Sequence, residues 1–240
     1  MIRYDQQLHV KAFLPASLIE YPQHIADVIY VGECNLRCPF CHNVDLVLHP
    51  ERLPDIDPAK LLSRLEGRRG FIDAVAVTGG EPTLQDGLAA FLIGVRALGL
   101  KVKLDTNGYR PDVLEDWLGR KLVDYVAMDV KSRLEAYSHA AGVPVRTERI
   151  ERSVQLLMAS EVEHEFRTTV VPGLIGVQDI KGIVELINGA KRYALQCFRP
   201  GETVGWGTNG PQEMPSVELM QSMLEIARPH IDQVYLRGMP

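Results

Sequence analysis

The stretch AVAVTGGEPTLQDGLAAFLIGV, residues 74–95, joins a short apolar strand to a helix through a glycine-rich turn. Residues 74–78 have the length and β-branched content of a buried strand, and apolar side chains then recur at helical spacing from Leu88 to Val95. A strand followed directly by a one-sided helix is the unit from which parallel sheets are built. The stretch therefore predicts one such βα unit, and the rest of the chain repeats it.

Similar strand-like runs occur at residues 27–31, 101–104, 123–128, 166–171 and 193–198. Segments with apolar residues at helical spacing separate most of these strands. Two of the helices are predicted to begin at Asp57-Pro58 and at Pro111, and two more cover residues 150–157 and 180–187. Pro215-Ser216 caps a last helix, which a short strand at 234–236 could follow. A complete eightfold barrel needs roughly 250 residues. We therefore predict an α/β fold, an incomplete (β/α)6 TIM-like barrel of parallel strands with outer helices, as one domain over residues 1–240. Residues 8–13 and 18–21 are expected to form a small N-terminal hairpin.

Composition narrows the class of protein. The 240 residues carry a net charge of -5 with dispersed Lys and Arg, so nucleic acid is not an expected partner. Residues 89–100 form the longest apolar run, but Arg96 and two glycines interrupt it, so no membrane span is expected. The chain has four cysteines, three of them clustered, and no apolar signal segment. These features predict a soluble protein of the reducing cytoplasm.

Cys34, Cys38 and Cys41 form a C-x3-C-x2-C triplet. A cuboidal four-iron cluster has four corners, so three close-set thiolates would leave one iron open for a substrate. The alternative is a structural zinc site in a binding module, with His42 or Cys197 as the fourth ligand. Structural zinc ligands usually come as two separated pairs, and no second pair follows here. The spacing favours the cluster and leaves zinc open.

Polar segments follow the next three strands. They are Thr78-Gly-Gly-Glu-Pro-Thr83, Asp105-Thr-Asn-Gly108 and Asp129-Val-Lys131. Parallel strands end at one rim of a βα fold, so we expect these segments to face the cysteine loop. Two adjacent glycines let a ligand approach the backbone, and a glutamate can accept from an ammonium group. An isolated Gly-Gly-Glu-Pro is more often an ordinary turn, but its place after a strand and downstream of the cysteines favours a ligand site. Asp105-Thr-Asn-Gly108 could equally be ordinary turn and N-cap chemistry.

These motifs, in this order and spacing, resemble the radical S-adenosylmethionine superfamily, and within it the activating enzymes of glycyl radical enzymes. The similarity runs from about residue 10 to residue 200. It implies an oxidoreductase in which a [4Fe-4S] cluster on the three cysteines binds S-adenosyl-L-methionine at its open iron. Electron transfer to the sulfonium would give methionine and a 5'-deoxyadenosyl radical, which abstracts hydrogen from a glycine of a partner enzyme.

The resemblance also implies roles for single residues. Phe40 would lie near the adenine, and Gly79, Gly80 and Glu81 would hold the methionine ammonium. Pro82, which completes the Gly-Gly-Glu-Pro motif, is also expected among the cofactor-binding residues. Asp105, Asn107 and Lys131 would contact ribose and carboxylate. A monovalent cation sits beside the cosubstrate in some relatives, and Asp105, Thr106 and Asp129 match its ligands. Arg167 matches a pocket arginine, although its alternative is a surface strand charge.

The implied partner is a glycyl radical enzyme that presents a glycine loop, and the implied reductant is flavodoxin or ferredoxin. The chain looks most like activators of anaerobic ribonucleoside-triphosphate reductase, with pyruvate formate-lyase activation as the alternative. A radical enzyme for a small pterin-like substrate is a further alternative. The sequence assigns no role to Arg199 or to the glycine-rich residues 201–215, which contain Trp206.

Overall fold

In a computed structural model, which describes residues 8–239, eight strands form a single sheet in chain order. The strands are β1 (Val10–Ser17), β2 (Ala26–Val31), β3 (Ala74–Gly79), β4 (Lys101–Thr106), β5 (Tyr125–Asp129), β6 (Glu163–Val170), β7 (Arg192–Cys197) and β8 (Gln233–Arg237). The helices are α1 (Val44–Leu48), α2 (Pro58–Glu66), α3 (Leu88–Ala97), α4 (Pro111–Gly119), α5 (Tyr137–Ala141), α6 (Thr147–Ala159), α7 (Val177–Leu186) and α8 (Val217–Ala227).

Strands β2 to β8 are all parallel, and within residues 8–239 the two edge strands β1 and β8 do not pair with each other. The predicted partial barrel is confirmed. The sheet contains one more parallel strand than the six predicted, because the short segment at 234–236 belongs to β8. That residues 1–240 form one domain stays a prediction, since residues 1–7 and 240 lie outside the described range.

The N-terminal hairpin has a different second arm from the predicted one. Strand β1 is longer than expected and pairs antiparallel with β2 rather than with residues 18–21, which form no strand. Pro15 lies within β1, where it is tolerated because β1 is an edge strand with one unpaired side. Strand β2 is apolar and six residues long, so it offers β1 a better hydrogen-bonding partner than residues 18–21, which are followed by Pro22.

The two faces of the sheet have different chemistry. Alternate side chains point to opposite faces, so Ile29 and Val31 join the large core under the helices while Ala26 and Val28 join a small inner cluster. On β4 and β6 the inward positions carry charge, at Lys103, Asp105, Glu165 and Arg167, and all four are buried. The bore of the partial barrel is therefore apolar near the strand beginnings and ionic towards the strand ends.

Local signals place the helices with few errors. Asp57 accepts hydrogen bonds from the first backbone N–H groups of α2, and Ser216 does the same for α8. The five-residue helices α1 and α5 were not predicted, because a single turn has too short an apolar pattern to be recognised. No helix within residues 8–239 is long and apolar enough to cross a membrane.

Candidate functional site

A cavity of about 290 Å³ opens at the carboxyl ends of β2 to β6. Parallel register brings these ends together, since Val31 pairs with Gly79 and Asp129 pairs with Arg167. Thirteen of the fourteen predicted site residues line the cavity: Cys34, Cys38, Phe40, Cys41, Gly79, Gly80, Glu81, Asp105, Thr106, Asn107, Asp129, Lys131 and Arg167. Pro82 does not line it and is buried at the start of a single 3₁₀ turn behind Glu81.

The cysteine loop connects β2 to α1. The Cys34 thiol accepts a hydrogen bond from the backbone N–H of Leu36 at 3.4 Å, and the Asn107 amide nitrogen lies 3.9 Å from the same sulfur. Burial, assisted by the negative charge of Glu81, raises the pKa of Cys34 to about 12. Burial likewise raises the pKa of Cys38, against the opposing charge of Lys131. Since thiolates are the ligand form, metal binding here must displace protons.

Gly79 and Gly80 let the β3 loop pass directly against the cysteine loop. Gly79 has φ +115, and a Cβ on Gly80 would lie 1.8 Å from the carbonyl oxygen of Glu33. The contact is held by hydrogen bonds from the Glu81 N–H to that same carbonyl at 2.7 Å and from the Asn43 side-chain amide to the Gly79 carbonyl at 2.7 Å. The two glycines thus fix the distance between two walls of the cavity.

Glu81 is buried and joins the β3 and β4 loops. One carboxylate oxygen accepts from the Thr83 N–H, the Thr83 hydroxyl and the Thr106 hydroxyl, and the other accepts from the Asn107 N–H at 2.7 Å. Burial raises the pKa of Glu81 although these donors favour the charged form. Three of four donors converge on one oxygen, so the second oxygen retains capacity towards a ligand.

Replacing Glu81 by glutamine is expected to lower the free energy of unfolding by about 1–3 kcal/mol. The substituted NH₂ group would face an N–H or O–H donor, and one buried partner would lose its acceptor. Denaturant titration measures this loss, with Glu185→Gln on the exposed face of α7 as the matched control. Equal stability of the two variants would contradict the role of Glu81 in joining the loops.

A ladder of alternating charges crosses the cavity floor. The Arg167 Nε lies 2.7 Å from Asp129, whose other oxygen lies 2.9 Å from the Lys131 ammonium. Asp105 lies 2.5 Å from the Lys103 ammonium and 3.4 Å from Arg167. Burial alone would raise the pKa of Asp129, but the charges of Arg167 and Lys131 hold it well below the usual range of a carboxyl group. In the same way, the charge of Asp129 outweighs burial and holds the pKa of Lys131 above the usual value of a lysine. The ladder has three cations and two anions.

Arg167 is therefore not a surface charge, since it is only 9% exposed at the centre of this ladder. The predicted cation ligands are also engaged within the protein: Thr106 donates to Glu81, while Asp105 and Asp129 accept from lysine and arginine. The buried ammonium group of Lys103 lies beside Asp105, and Lys103 was not among the residues that the sequence predicted for the site. A bound monovalent cation stays a prediction.

Several lining residues were not predicted to bind the cluster or the cosubstrate, although His42 was considered as a zinc ligand and Thr78 opens a segment expected at this rim. They are Leu36, His42, Asn43, Val47, Thr78 and Thr169. Thr169 could have been found, because it follows Arg167 by two residues on the same face of β6. Asn43 gives no such signal, since its contact with the β3 loop depends on how the cysteine loop folds back. Arg199, whose role was open, is exposed and does not line the cavity.

Residues 201–210 pack along the outside of the cysteine loop. The N–H groups of Val204 and Gly205 donate to the carbonyls of Cys41 and Pro39 at 2.9 and 3.2 Å. His42 stacks on Phe198 with ring centroids 5.6 Å apart, which ties the loop to the end of β7. The segment is thus part of the wall that supports the cysteines.

The donor set fits an iron–sulfur cluster better than a zinc ion. Three thiols of one loop line a single cavity, and Cys197, buried on β7, is not among the lining residues. In the described part of the chain, no three His, Cys, Asp or Glu side chains converge closely enough to ligate one metal ion. A cluster spreads its thiolate ligands over separate irons, whereas zinc draws four ligands around one point.

Comparison with known proteins shows the family of the chain. The family model described as "Radical SAM superfamily" matches residues 28–188. A Methanocaldococcus jannaschii protein named "Putative glycyl-radical enzyme activating enzyme MJ1227" is 32% identical over 95% of each chain. A second protein of that organism with the same functional name is 23% identical over 84% of this chain and 76% of its own.

The fold is also found in solved structures. The crystal structure of Streptococcus suis SuiB bound to S-adenosylmethionine matches 88% of this chain with a TM-score of 0.67 at 17% identity. This chain spans about half the length of SuiB. The match therefore shows a shared architecture.

The family match defines an enzyme whose chemistry depends on an iron–sulfur cluster. The chain belongs to the radical SAM superfamily, whose cofactors are a [4Fe-4S] cluster and S-adenosyl-L-methionine.

Proposed function

We propose that this chain is an activating enzyme that uses S-adenosyl-L-methionine to generate the radical of a glycyl radical enzyme. The observation that carries the proposal is the cavity with three thiols from one loop and, among the residues 8–239 that the structure describes, no fourth cysteine in its lining. Support for the glycyl radical partner comes from the named function of the M. jannaschii relative, which matches over 95% of both chains.

In this proposal Cys34, Cys38 and Cys41 hold the cluster. When bound, the cluster supplies one electron to the sulfonium and leaves one iron for the amino and carboxylate groups of the cosubstrate. The protein binds, orients and excludes water around that chemistry. Because the charged lining residues Glu81, Asp105 and Arg167 are buried, electrostatic contacts with them act at a lower effective dielectric than in water.

The remaining residues orient the cosubstrate. The free oxygen of Glu81 and the backbone around Gly79 and Gly80 would accept from its ammonium group. Lys131 and Arg167, the two cations of the ladder that line the cavity, would face its carboxylate. The ribose would contact the end of β4 and the loop after it, at Asp105, Thr106 and Asn107. The adenine would lie against the Phe40 ring, whose centroid is 5.8 Å from the Lys131 ammonium. Pro82 acts only through the turn that sets Glu81.

A macromolecular substrate suits the rim around the cavity. Beside the cysteine loop lies a groove of about 480 Å³ lined by Pro39, Pro172, Leu174, Trp206 and neighbouring glycines. Pro39 stands between Cys38 and Phe40, so this groove adjoins the mouth of the cavity. A mainly apolar groove whose lining includes two glycines is suited to an extended glycine-bearing loop. The open edge between β1 and β8 leaves further room for such a loop.

Among glycyl radical enzymes we propose anaerobic ribonucleoside-triphosphate reductase as the partner. The sequence has four cysteines, and the one outside the triplet is a buried strand residue, so no second cysteine-rich insert is present. Pyruvate formate-lyase is the alternative partner, and a pterin-like small molecule is the alternative substrate. Flavodoxin or ferredoxin is the proposed reductant.

The test is anaerobic incubation of the reconstituted, reduced enzyme with S-adenosyl-L-methionine and each candidate partner. We expect 5'-deoxyadenosine and a glycyl radical signal in electron paramagnetic resonance, with no signal when the partner's acceptor glycine is replaced by alanine. Cosubstrate cleavage that yields no radical on either enzyme, but converts a purine or pterin substrate, would overturn the proposal.

A further inference from the structure

A basic groove of about 690 Å³ lies between the start of α4 and the first turns of α6. The chain as a whole carries a net charge of -5, so this local excess of positive charge stands out. The charged side chains that line the groove are four arginines and two carboxylates: Arg110, Asp112, Arg146, Glu148, Arg149 and Arg152.

Two of the arginines have no ion-pair partner in the described structure. Arg110 lies 2.9 Å from Asp112, and Arg152 lies 2.5 Å from Glu115 on the neighbouring helix. For Arg146 and Arg149, no carboxylate within residues 8–239 lies inside 4 Å. Arg146 is exposed and Arg149 half-buried, so both charges are available to an external anion.

The groove is linked to the cysteine site through few residues. The Arg149 guanidinium lies 5.0 Å from the centroid of the Tyr109 ring. The Tyr109 N–H donates to the Asn107 side-chain carbonyl at 3.0 Å, and the Asn107 amide nitrogen lies 3.9 Å from the Cys34 sulfur. Two residues, Tyr109 and Asn107, thus separate the half-buried Arg149 from a cysteine of the predicted cluster site.

The basic surface continues onto the cysteine loop itself. Arg37 is exposed between Cys34 and Cys38, and its guanidinium donates to the Cys34 carbonyl at 2.5 Å. Its backbone N–H donates to the carbonyl of Ala141 at the end of α5, from which a short segment leads to Arg146 at the start of α6. An anionic surface on the groove would therefore also meet the loop that carries the thiols.

From this juxtaposition we infer that the arginine groove is the docking site for the acidic face of a one-electron carrier protein, which delivers its electron on the Cys34 side of the cluster. The inference rests on the proposed function. The carrier loses one electron and the cluster gains it, and no covalent bond forms or breaks. Opposite charges steer such an encounter and orient the donor before transfer.

The experiment compares charge-reversal variants with reduced flavodoxin and reduced two-cluster ferredoxin as the probes. Arg146→Glu/Arg149→Glu reverses the two unpaired charges, and Arg146→Lys/Arg149→Lys preserves them. The control is Arg120→Glu/Arg228→Glu, which makes the same change in net charge at the carboxyl ends of α4 and α8. Helices run opposite to the strands, so these control positions lie at the far rim.

Three readouts separate the possibilities. The first is the second-order rate constant for reduction of the bound cluster, followed by visible absorbance. The second is the affinity of the reduced carrier for the cluster-free protein, measured by calorimetry. The third is cleavage of S-adenosyl-L-methionine driven by dithionite, which bypasses any carrier.

We expect the charge reversal in the groove to lower the carrier rate constant about 10- to 100-fold at low ionic strength and to weaken binding. The wild-type rate should fall with added salt, and the rate of the reversed variant should not. The lysine variant and the far-rim control should resemble the wild type, and dithionite-driven cleavage should be unchanged in all of them.

Equal rate constants and affinities in the groove variant and the control would overturn the inference. So would unchanged carrier kinetics with a loss of glycyl radical formation under dithionite, because the groove would then bind the glycyl radical enzyme. Failure of the dithionite-reduced wild type to cleave the cosubstrate would instead count against the proposed function. Binding to the cluster-free protein would still decide the docking site in that case.

Discussion

Replacing Cys38 by alanine is expected to reduce the iron content from about four atoms per chain to near zero and to abolish cleavage of S-adenosyl-L-methionine. The side chain is only 6% exposed and lines the cavity beside Lys131. A four-iron cluster held by only three thiolates has no spare protein ligand, so the loss of one thiolate should prevent stable binding of the cluster. Anaerobically purified protein should change from brown to colourless.

Cys197→Ala is the matched control for that prediction. Cys197 is also a buried cysteine, but it lies on β7 outside the cavity lining. This variant should retain iron, sulfide and cosubstrate cleavage, with at most a modest loss of stability from the lost packing. If Cys197→Ala lost the metal as completely as Cys38→Ala, the fourth coordination position would belong to the protein. The cavity would then be a closed structural site.

Gly80→Ala should be the most damaging substitution that leaves every metal ligand in place. Its Cβ would fall 1.8 Å from the backbone carbonyl oxygen of Glu33, and neither a Cβ, which is fixed to its Cα, nor a backbone carbonyl can rotate away. The β3 loop and the cysteine loop must then separate, which breaks the hydrogen bond from the Glu81 N–H to Glu33. We expect a loss of about 3 kcal/mol in the free energy of unfolding.

The same displacement should lower cosubstrate cleavage by at least about 100-fold, since shifts near 1 Å in a site have effects of that size. Gly119→Ala serves as the control, because a Cβ there meets no atom within 4 Å. That change should be neutral or slightly stabilising. Denaturant titration and product assay measure both properties, and similar results for the two variants would contradict the proposed contact between the loops.

Much of the architecture could be predicted because its causes are local. Strand-length apolar runs and helical stripes lie within short windows, and Asp57 and Ser216 mark helix starts by contacts with their own neighbours. The pairing of β1 was predicted wrongly because the choice of partner strand depends on long-range competition between edges. Strand β8 was marked only as a possible short strand, because its apolar run is brief.

The sequence predicted which segments contribute to the candidate site, but not the contacts that their side chains make with one another. Parallel strands end at one rim, so residues that follow successive strands could be expected to meet, and thirteen of the fourteen do line one cavity. The exception, Pro82, has the right place in the sequence but is buried in the turn that follows Glu81 and does not line the cavity. Arg167 could be assigned to the interior only once the inward face of β6 was known, because strand alternation alone does not say which face is covered.

The sequence by itself determined the succession of the central parallel strands and the longer helices, the three thiols and the polar segments that follow the strands, because each is a pattern of near neighbours. Only the tertiary structure decided that Glu81 joins two loops, that Lys103 pairs with Asp105 inside the barrel and that residues 201–210 support the cysteine loop. These contacts join segments that are distant in sequence or depend on which face of a strand is buried. Chain packing and charge compensation decide which groups pair in these contacts, and a local sequence pattern contains no information on either.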